Sequence, residues 1–536
     1  MKNINFKVIL GLIVTTLLLS ACGKGGGLYD DSGQTYRVAT SSDINTLDST
    51  LATDTVSFTI YNQVYEGLYS LNGKDEAVPG VAKGKPKKSN GDPVTANDFV
   101  FAWRKAVDPV NASEYAYIMY DIKNAEDINL NKNGKKPKDL GVKALDDYTL
   151  QVELTKPIPY FQQMLAFGTF MPQNEKVVKK YGKSYGTTAD KTVYNGPFKI
   201  DKWAVEDKIM LTKNKGYWDK NNVKLDRVNY KVLKDTQAGA SLYDTGSVDV
   251  AGITSEQVDK YKDSPALFKR LLASTAFLKM NQKQQPEFKN KDMRYAIAQS
   301  VNKEDYVNDV LGTGAKPFDG FTAKGTAKTP DGKDYAETVK SPLTYNPKEA
   351  KKHLEKAKKA LGKDKFTFTL NTEDTPDSKI SAEFIKSQIE NNLPGVTVKV
   401  KQLPFKQRLQ AELTMNYSMS LSVWGPDYPD PMTFLDTMTT GNAQNNTNWS
   451  SKEYDNLLKK ANSSLLQKPD ERYAAMRQAE EIFLNDAPVA PIYQKGGASL
   501  RNPQLKGIEY HQIGGDYSLK HAYMDKSIDR ETGKKK

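Results

Sequence analysis

Cysteine and histidine are almost absent from this chain: one cysteine and three histidines occur in 536 residues. A single thiol excludes an intrachain disulfide. His353, His511 and His521 are dispersed and form no H-E-x-x-H, so the common local zinc motifs are missing and neither metal nor cofactor is expected. Long apolar runs are scarce as well, and beyond the first 22 residues none could span a bilayer. Phosphate loops are missing too, since "GKKPKDLGVK" lacks the closing G-K-[ST]. "GKSYG" (182–186) has the letters of a nucleophile elbow but follows the charged "NEKVVKKY" where a buried strand is required, and reads as a loop. "NLNKNG" (129–134) begins like a calcium loop, yet Leu140 stands where a bidentate glutamate belongs, and it reads as a surface turn. No nucleophile, base and orienter assemble locally, and the chain is not expected to be an enzyme.

What is present is a long, charged and foldable chain. A hydrophobic share of 38%, 26% charged residues and a mean hydropathy of -0.64 describe a folded body with a polar surface. The length calls for roughly two to four domains. The net charge of +12 first suggests nucleic acid. The lysines, however, are scattered over helical faces such as "KKHLEKAKKALGKDK", with no arginine-rich stripe, and no nucleic-acid partner is expected.

The first residues carry an address. In "MKNINFKVILGLIVTTLLLSAC", Lys2 and Lys7 precede an apolar run to Leu19 and small residues, the regions of an export signal. Leu19-Ser20-Ala21-Cys22 resembles a bacterial lipobox, which implies cleavage after residue 21 and a lipidated Cys22 on the extracytoplasmic face of the membrane, in a Gram-positive type of envelope. Residues 22–35 read as a flexible tether, and "DRETGKKK" at the other end as part of a disordered tail, 526–536.

Periodicity then marks the elements. "YTLQVELT" (148–155) alternates as a strand. In "YNPKEAKKHLEKAKKALGKDKFTFTL", Asn346 is the expected N-cap, Pro347 suits the first helical position and Glu349 completes a capping box. Ala350, Leu354, Ala357 and Leu361 share one face, and Gly362 ends the helix. The alternating strand from Phe366, the helix "KISAEFIKSQIENNL" and the strand "GVTVKVKQL" follow, so helices alternate with strands, an α/β pattern with parallel crossovers. Farther on, "WGPDYPDPMTFL" (424–435) frames Asp427 between prolines, which stiffen the backbone on either side. Such an acid either satisfies its own loop amides or is held for a ligand.

"LDSTLATDTVSFTIYNQVYEGLY", "SNGDPVTANDFVFAWRKAVDP", "LGVKALDDYTLQVELTKPIPYF", "NGPFKIDKW", "LTKNKGYWD", "FKNKDMRYAIAQSVNKE" and "VWGPDYPDPMTFL" occur in the order and near the spacing of one family. From about Tyr36 to Tyr523 the chain resembles the oligopeptide-binding lipoproteins of peptide ABC transporters, solute-binding protein family 5. The resemblance implies a three-domain, type II periplasmic-binding-protein-like (Venus-flytrap) α/β fold. Its first lobe would take 36–66, 173–275 and 486–525, a small extra domain 67–172, and the second lobe 276–485. It implies that Asp427, following Trp424, meets a peptide α-ammonium. The peptide backbone would pair with Thr53, Asp54 and Thr55 on one side and Val423, Trp424 and Gly425 on the other, with Phe405 and Tyr493 lining pockets or packing in the core. A monomer delivering oligopeptides to an ABC permease, and no chemistry, is the function implied; a receptor for a signalling peptide or another solute, or an exported hydrolase, is the alternative. Two departures stand out. Leu421 occupies the position where some members carry an arginine for the peptide carboxylate. Near 84–90 the small domain lacks about one two-stranded hairpin.

Overall fold

A computed structural model describes residues 33–83 and 86–536; the expected signal peptide, Cys22 and most of the tether lie outside the described residues. The tether is shorter than expected at its far end. Gln34 exchanges hydrogen bonds with the backbone of Met524, and the first strand begins at Thr35.

One 11-stranded sheet runs through the molecule. In chain order its strands are β1 (Thr35–Thr40), β2 (Phe198–Ala204), β3 (Lys208–Lys213), β4 (Arg227–Val232), β5 (Val250–Gly252), β6 (Leu267–Met280), β7 (Lys316–Pro317), β8 (Phe366–Glu373), β9 (Val396–Leu403), β10 (Met419–Trp424) and β11 (Val489–Arg501). Their spatial order is β9-β8-β10-β6-β11-β5-β1-β4-β3-β2, with β7 also on β11. One half is built on β1, parallel to β4 and β5, and the other on β8, parallel to β9 and β10.

The long antiparallel pair β6 and β11 joins the halves. Its register breaks between Leu271 and Thr275, opposite Gln494 to Gly496, and such a break bends and twists a strand pair. A Cβ on Gly496 would lie 2.4 Å from the backbone of Gly314 and Ala315, so this close approach requires glycine. The boundary expected after residue 485 lies at the end of the helix Pro469–Asp486, just before β11. Val489 to Tyr493 pair with Lys279 to Ala276, on the side of β10, whereas Ser499 to Arg501 pair with β5. β11 thus pairs with strands of both halves along its length.

Local signals explain most helices. Helix α1 (Thr55–Val64) is capped by Asp54, and α2 (Ala96–Val107) by a Thr95/Asp98 capping box. In α3 (Pro347–Leu361), Asn346 accepts from the Glu349 amide, Ala350, Leu354 and Ala357 are fully buried, and Gly362 closes the end at φ 63°. Glu349 does not complete the expected box; its carboxylate turns to Lys352. Helices α4 (Pro376–Asn392), α5 (Phe405–Leu413), α6 (Lys452–Ala461) and α7 (Pro469–Asp486) complete the second half, and no described helix is long and apolar enough to cross a membrane.

Residues 67–172 contain two short hairpins, Tyr69–Leu71 with Ala77–Pro79 and Val142–Asp146 with Thr149–Val152, packed around Trp103 and Phe170. Near the expected deletion the chain makes a turn closed by a Lys87–Pro93 bridge and by Lys88, which reaches Asp98 at 2.7 Å. The C-terminal tail is folded, contrary to the reading from its terminal position. Arg530 donates to the carbonyls of Tyr243 and Val248, and Ile528 bridges Lys535. Those carbonyl partners lie far away in the sequence.

A buried ion cluster ties α5 to the sheet. Glu412 receives Lys279 from β6, Arg408 from its own helix and the hydroxyls of Ser420 and Ser422 from β10. Burial alone would raise the Glu412 pKa, yet the two cations and Ser420 hold it down to about 2. Glu412→Gln leaves Lys279 uncompensated and Arg408 with only Glu373, and is expected to cost about 3–5 kcal/mol, read as a lower urea midpoint. The folded pKa is below the unfolded one, so the stabilisation is complete at neutral pH and is lost as pH falls from about 4.5 towards 2. A stability unchanged across that window would refute this assignment.

Candidate ligand-binding cleft

β10 leads into the loop carrying Asp427, and that loop is held from several sides. Asp430 takes Arg472 of α7 at 2.7 and 2.9 Å and accepts from the Met432 amide. Tyr428 stacks on Tyr160, centroids 4.5 Å apart, and the Trp424 indole donates to Thr433 O at 3.1 Å. Tyr115, from the small domain, lies parallel to Trp424 at 6.1 Å and donates its hydroxyl to Asp427 Oδ1 at 3.3 Å.

Asp427 is buried, and its Oδ2 has no partner among the described residues. Burial drives its pKa well above the usual carboxylate range, opposed by the Tyr115 hydroxyl. No amide of its own loop donates to it; Asp430 performs that role. Of the two readings open from sequence, the geometry matches an acid held for something else, and an ammonium group would supply both the missing hydrogen bond and the opposite charge.

Three chambers line the cleft, and two of them border this acid. A narrow one of 230 Å³ is bordered by Thr53, Asp54, Thr55, Phe405, Val423, Trp424, Gly425 and Asp427. A wider one of 480 Å³ shares Thr53, Phe405, Val423 and Trp424 with it, and a rear one of 260 Å³ lies beyond Asp427. Pairing with β8 stops at Ser420, so along Val423 and Trp424 that edge of β10 has no strand partner among the described residues. Across the cleft, Thr53 makes no backbone hydrogen bond within the described chain. Two such segments can accept an extended chain between them.

The other expected site residues divide. Asp54 borders the cleft, but its carboxylate accepts the amide and hydroxyl of Ser57 at the start of α1; burial pushes its pKa up to about 6 against those bonds. Phe405 and Leu421 line the narrow chamber. Tyr493 does not line any of these chambers; it pairs with Ala276 and packs on Tyr306 at 5.5 Å, as the core alternative required. Glu114 and Tyr115 were not foreseen. They arrive from a tyrosine-rich stretch, "SEYAYIMY", whose only sequence signal is an acid among aromatics. His511 and His521, dispersed in sequence, both border the rear chamber, paired with Asp75 and Glu509. No cluster among the described residues could hold a metal ion.

Comparison with known proteins places this architecture. Residues 87–446 match the model of the bacterial extracellular solute-binding proteins, family 5 middle. A dipeptide-binding protein of Lactococcus lactis subsp. cremoris is 35% identical, over 98% of this chain and 99% of that protein. The substrate-binding domain of an oligopeptide ABC transporter from Bacillus anthracis has a TM-score of 0.89 at 40% identity, covering 92% of this chain and 98% of that one. Listeria monocytogenes OppA bound to peptide gives 0.87 at 38%, covering 92% and 99%. The unliganded open form of the Escherichia coli murein tripeptide-binding protein MppA gives 0.60, and another structure of the same protein 0.82. Sequence is constant within that pair, so the lobes here are set as in the second structure rather than as in the open form.

One ion pair depends on that setting. Lys234, just beyond β4, reaches Glu206 in its own half-sheet at 3.1 Å and Asp374, just beyond β8, at 2.8 Å. Both side chains of the cross-cleft pair are about a third exposed (37% and 32%), so the contact contributes modestly. Lys234→Ala is expected to shift the open-to-closed ratio by less than about fivefold, under about 1 kcal/mol. Fluorescence transfer between labels on the two half-sheets measures it, and a larger shift would show that the pair governs closure.

Proposed function

The chain belongs to the bacterial extracellular solute-binding proteins of family 5, and from that premise we propose that it captures oligopeptides in the cleft and hands them to an ABC permease. The observation that carries this reading is the buried Asp427 carboxylate, one oxygen unpartnered, beside an unpaired strand edge. The peptide α-ammonium meets Asp427, and the peptide backbone adds as a strand along Val423 to Gly425 and bonds Thr53 and Thr55 opposite. Backbone pairing is blind to side chains, which suits a receptor for many sequences. Residues 36–66, 173–275 and the end of β11 act as one lobe and 276–485 as the other, with the register break in β6 and β11 as hinge. Lipidated Cys22 holds the protein on the outer face of the membrane within reach of the permease. Leu421 offers no charge to a peptide carboxylate, so no fixed peptide length is selected there.

Titration calorimetry with a random peptide pool, free and N-acetylated, tests this. Acetylation removes the ammonium and is expected to weaken binding by about thirtyfold or more, the consequence of leaving a buried charge unpaired. Asp427→Asn is expected to weaken the free pool similarly and to narrow the gap between the pools. Absence of binding by either pool would mean that the ligand is not a peptide. Cleavage of the pool on prolonged incubation, persisting through repurification, would point to a hydrolase instead.

A further inference from the structure

The wider chamber carries a charge that its own walls do not neutralise. The ion cluster forms one side, where Lys279 and Arg408 share Glu412 and Arg408 also reaches Glu373. These two cations are matched by two carboxylates. Glu114, entering from the small domain just before Tyr115, adds a third. Among the described residues no hydrogen bond or ion pair reaches it, and burial lifts its pKa to about 7, with Lys279 opposing and Glu412 reinforcing.

The remaining charged groups on the wall are accounted for. Asp43 accepts from the Trp203 indole and the amides of Ile44 and Glu206, and Glu206 pairs with Lys234. Lys406 is exposed to solvent at the rim. Of the carboxylates on this wall, Glu114 is therefore the one that no hydrogen bond or ion pair engages among the described residues.

The uncharged polar groups point the same way. Gln444 borders the chamber at 7% exposure, yet its Nε2 has no partner, and the Asn45 Oδ1 and Arg408 Nε are likewise unsatisfied. Buried polar atoms without partners are uncommon in folded proteins, and three of the residues that border this chamber carry one. Leu51, Trp203, Val205 and Phe405 supply apolar wall suited to a methylene stem. Because Phe405, Val423 and Trp424 border both chambers, a strand lying along Val423 and Trp424 in the narrow chamber projects alternate side chains towards the wide one.

We propose that the wide chamber is a side-chain pocket for a cationic residue of the bound peptide, lysine or arginine, whose charge is met by Glu114. This rests on the peptide-binding reading above. It gives the receptor a preference at one position of an otherwise sequence-tolerant site.

Alanine hexapeptides with free amino termini, carrying lysine or its uncharged analogue norleucine at one position at a time, are titrated into the wild-type protein, E114Q and E114D. At one position lysine is expected to bind about tenfold or more tighter than norleucine, in line with a hydrogen bond to a charged group. E114Q is expected to bring that ratio below about threefold, and E114D, which keeps the charge, to retain a preference. Lysine and norleucine binding alike at every position of the wild type would overturn the pocket and leave the peptide reading standing. A lysine preference that survives E114Q would overturn the role of Glu114. Failure of both series to bind the wild type would overturn the peptide reading and the pocket together.

Discussion

A carboxylate buried without a cation is the constraint around which the cleft is arranged. Asp430 and Asp427 belong to one loop and are equally hidden, but Asp430 is neutralised by Arg472 and Asp427 meets only a tyrosine hydroxyl. Leaving such a group unpaired costs stability unless it gives up its charge, which is why its pKa rises. The fold tolerates this because the surrounding loop is over-determined. The Asp430–Arg472 pair, the Tyr428–Tyr160 stack and the Trp424–Thr433 bond together leave Asp427 little room to relax. The stiffness that the prolines suggest comes in larger part from these contacts, and its effect is that an incoming ammonium finds a site already formed.

That site is complete only where three parts of the chain meet. Asp427 comes from the half built on β8, Thr53 from the segment before α1, and Tyr115 from the small domain. The long β6 and β11 pair makes the two halves one continuous sheet, yet its broken register gives the sheet a place to bend. On the proposed reading, closure brings groups together without making or breaking a core. A ligand can shift such an equilibrium only by binding one arrangement better than the other. On the proposed reading, the neutralisation of Asp427 supplies that difference, while exposed contacts such as Lys234 with Asp374 trim it slightly.

How much of this was legible in the sequence follows from the range of each interaction. The α3 unit, with Asn346, the Ala350, Leu354 and Ala357 face and Gly362, reads directly because caps and helical faces are set by neighbours within a few residues. The frame around Asp427 was visible for the same reason. Its partner was not: Tyr115 lies 312 residues away, and nothing near it announces an aspartate. Glu349 has the right spacing for a capping box, but Lys352 is close enough to compete for it. The C-terminal tail, read as disordered from its terminal position, is held because Arg530 finds backbone carbonyls brought near by the tertiary fold. Tyr493, half-buried between the buried Ile492 and Gln494 of β11, packs on Tyr306, a partner distant in sequence that no local pattern announces.

Tolerance and preference then arise from different parts of one cleft. Main-chain pairing along Val423 to Gly425 depends on groups that every peptide carries, so it discriminates little among sequences. On the proposed reading, Asp427 asks for an amino terminus and nothing more. Discrimination has to come from side-chain chambers, and there the decisive quantity is the charge that the walls leave over, not the charge they contain. The ion cluster beside the wide chamber is rich in charge but internally matched, so Glu412, Lys279 and Arg408 act as structure. Glu114, from the 67–172 segment, stands outside that matching, with no hydrogen bond or ion pair among the described residues. A domain that shares no strand with the main sheet thereby contributes to the cleft both the hydroxyl that faces Asp427 and the one acid left unmatched.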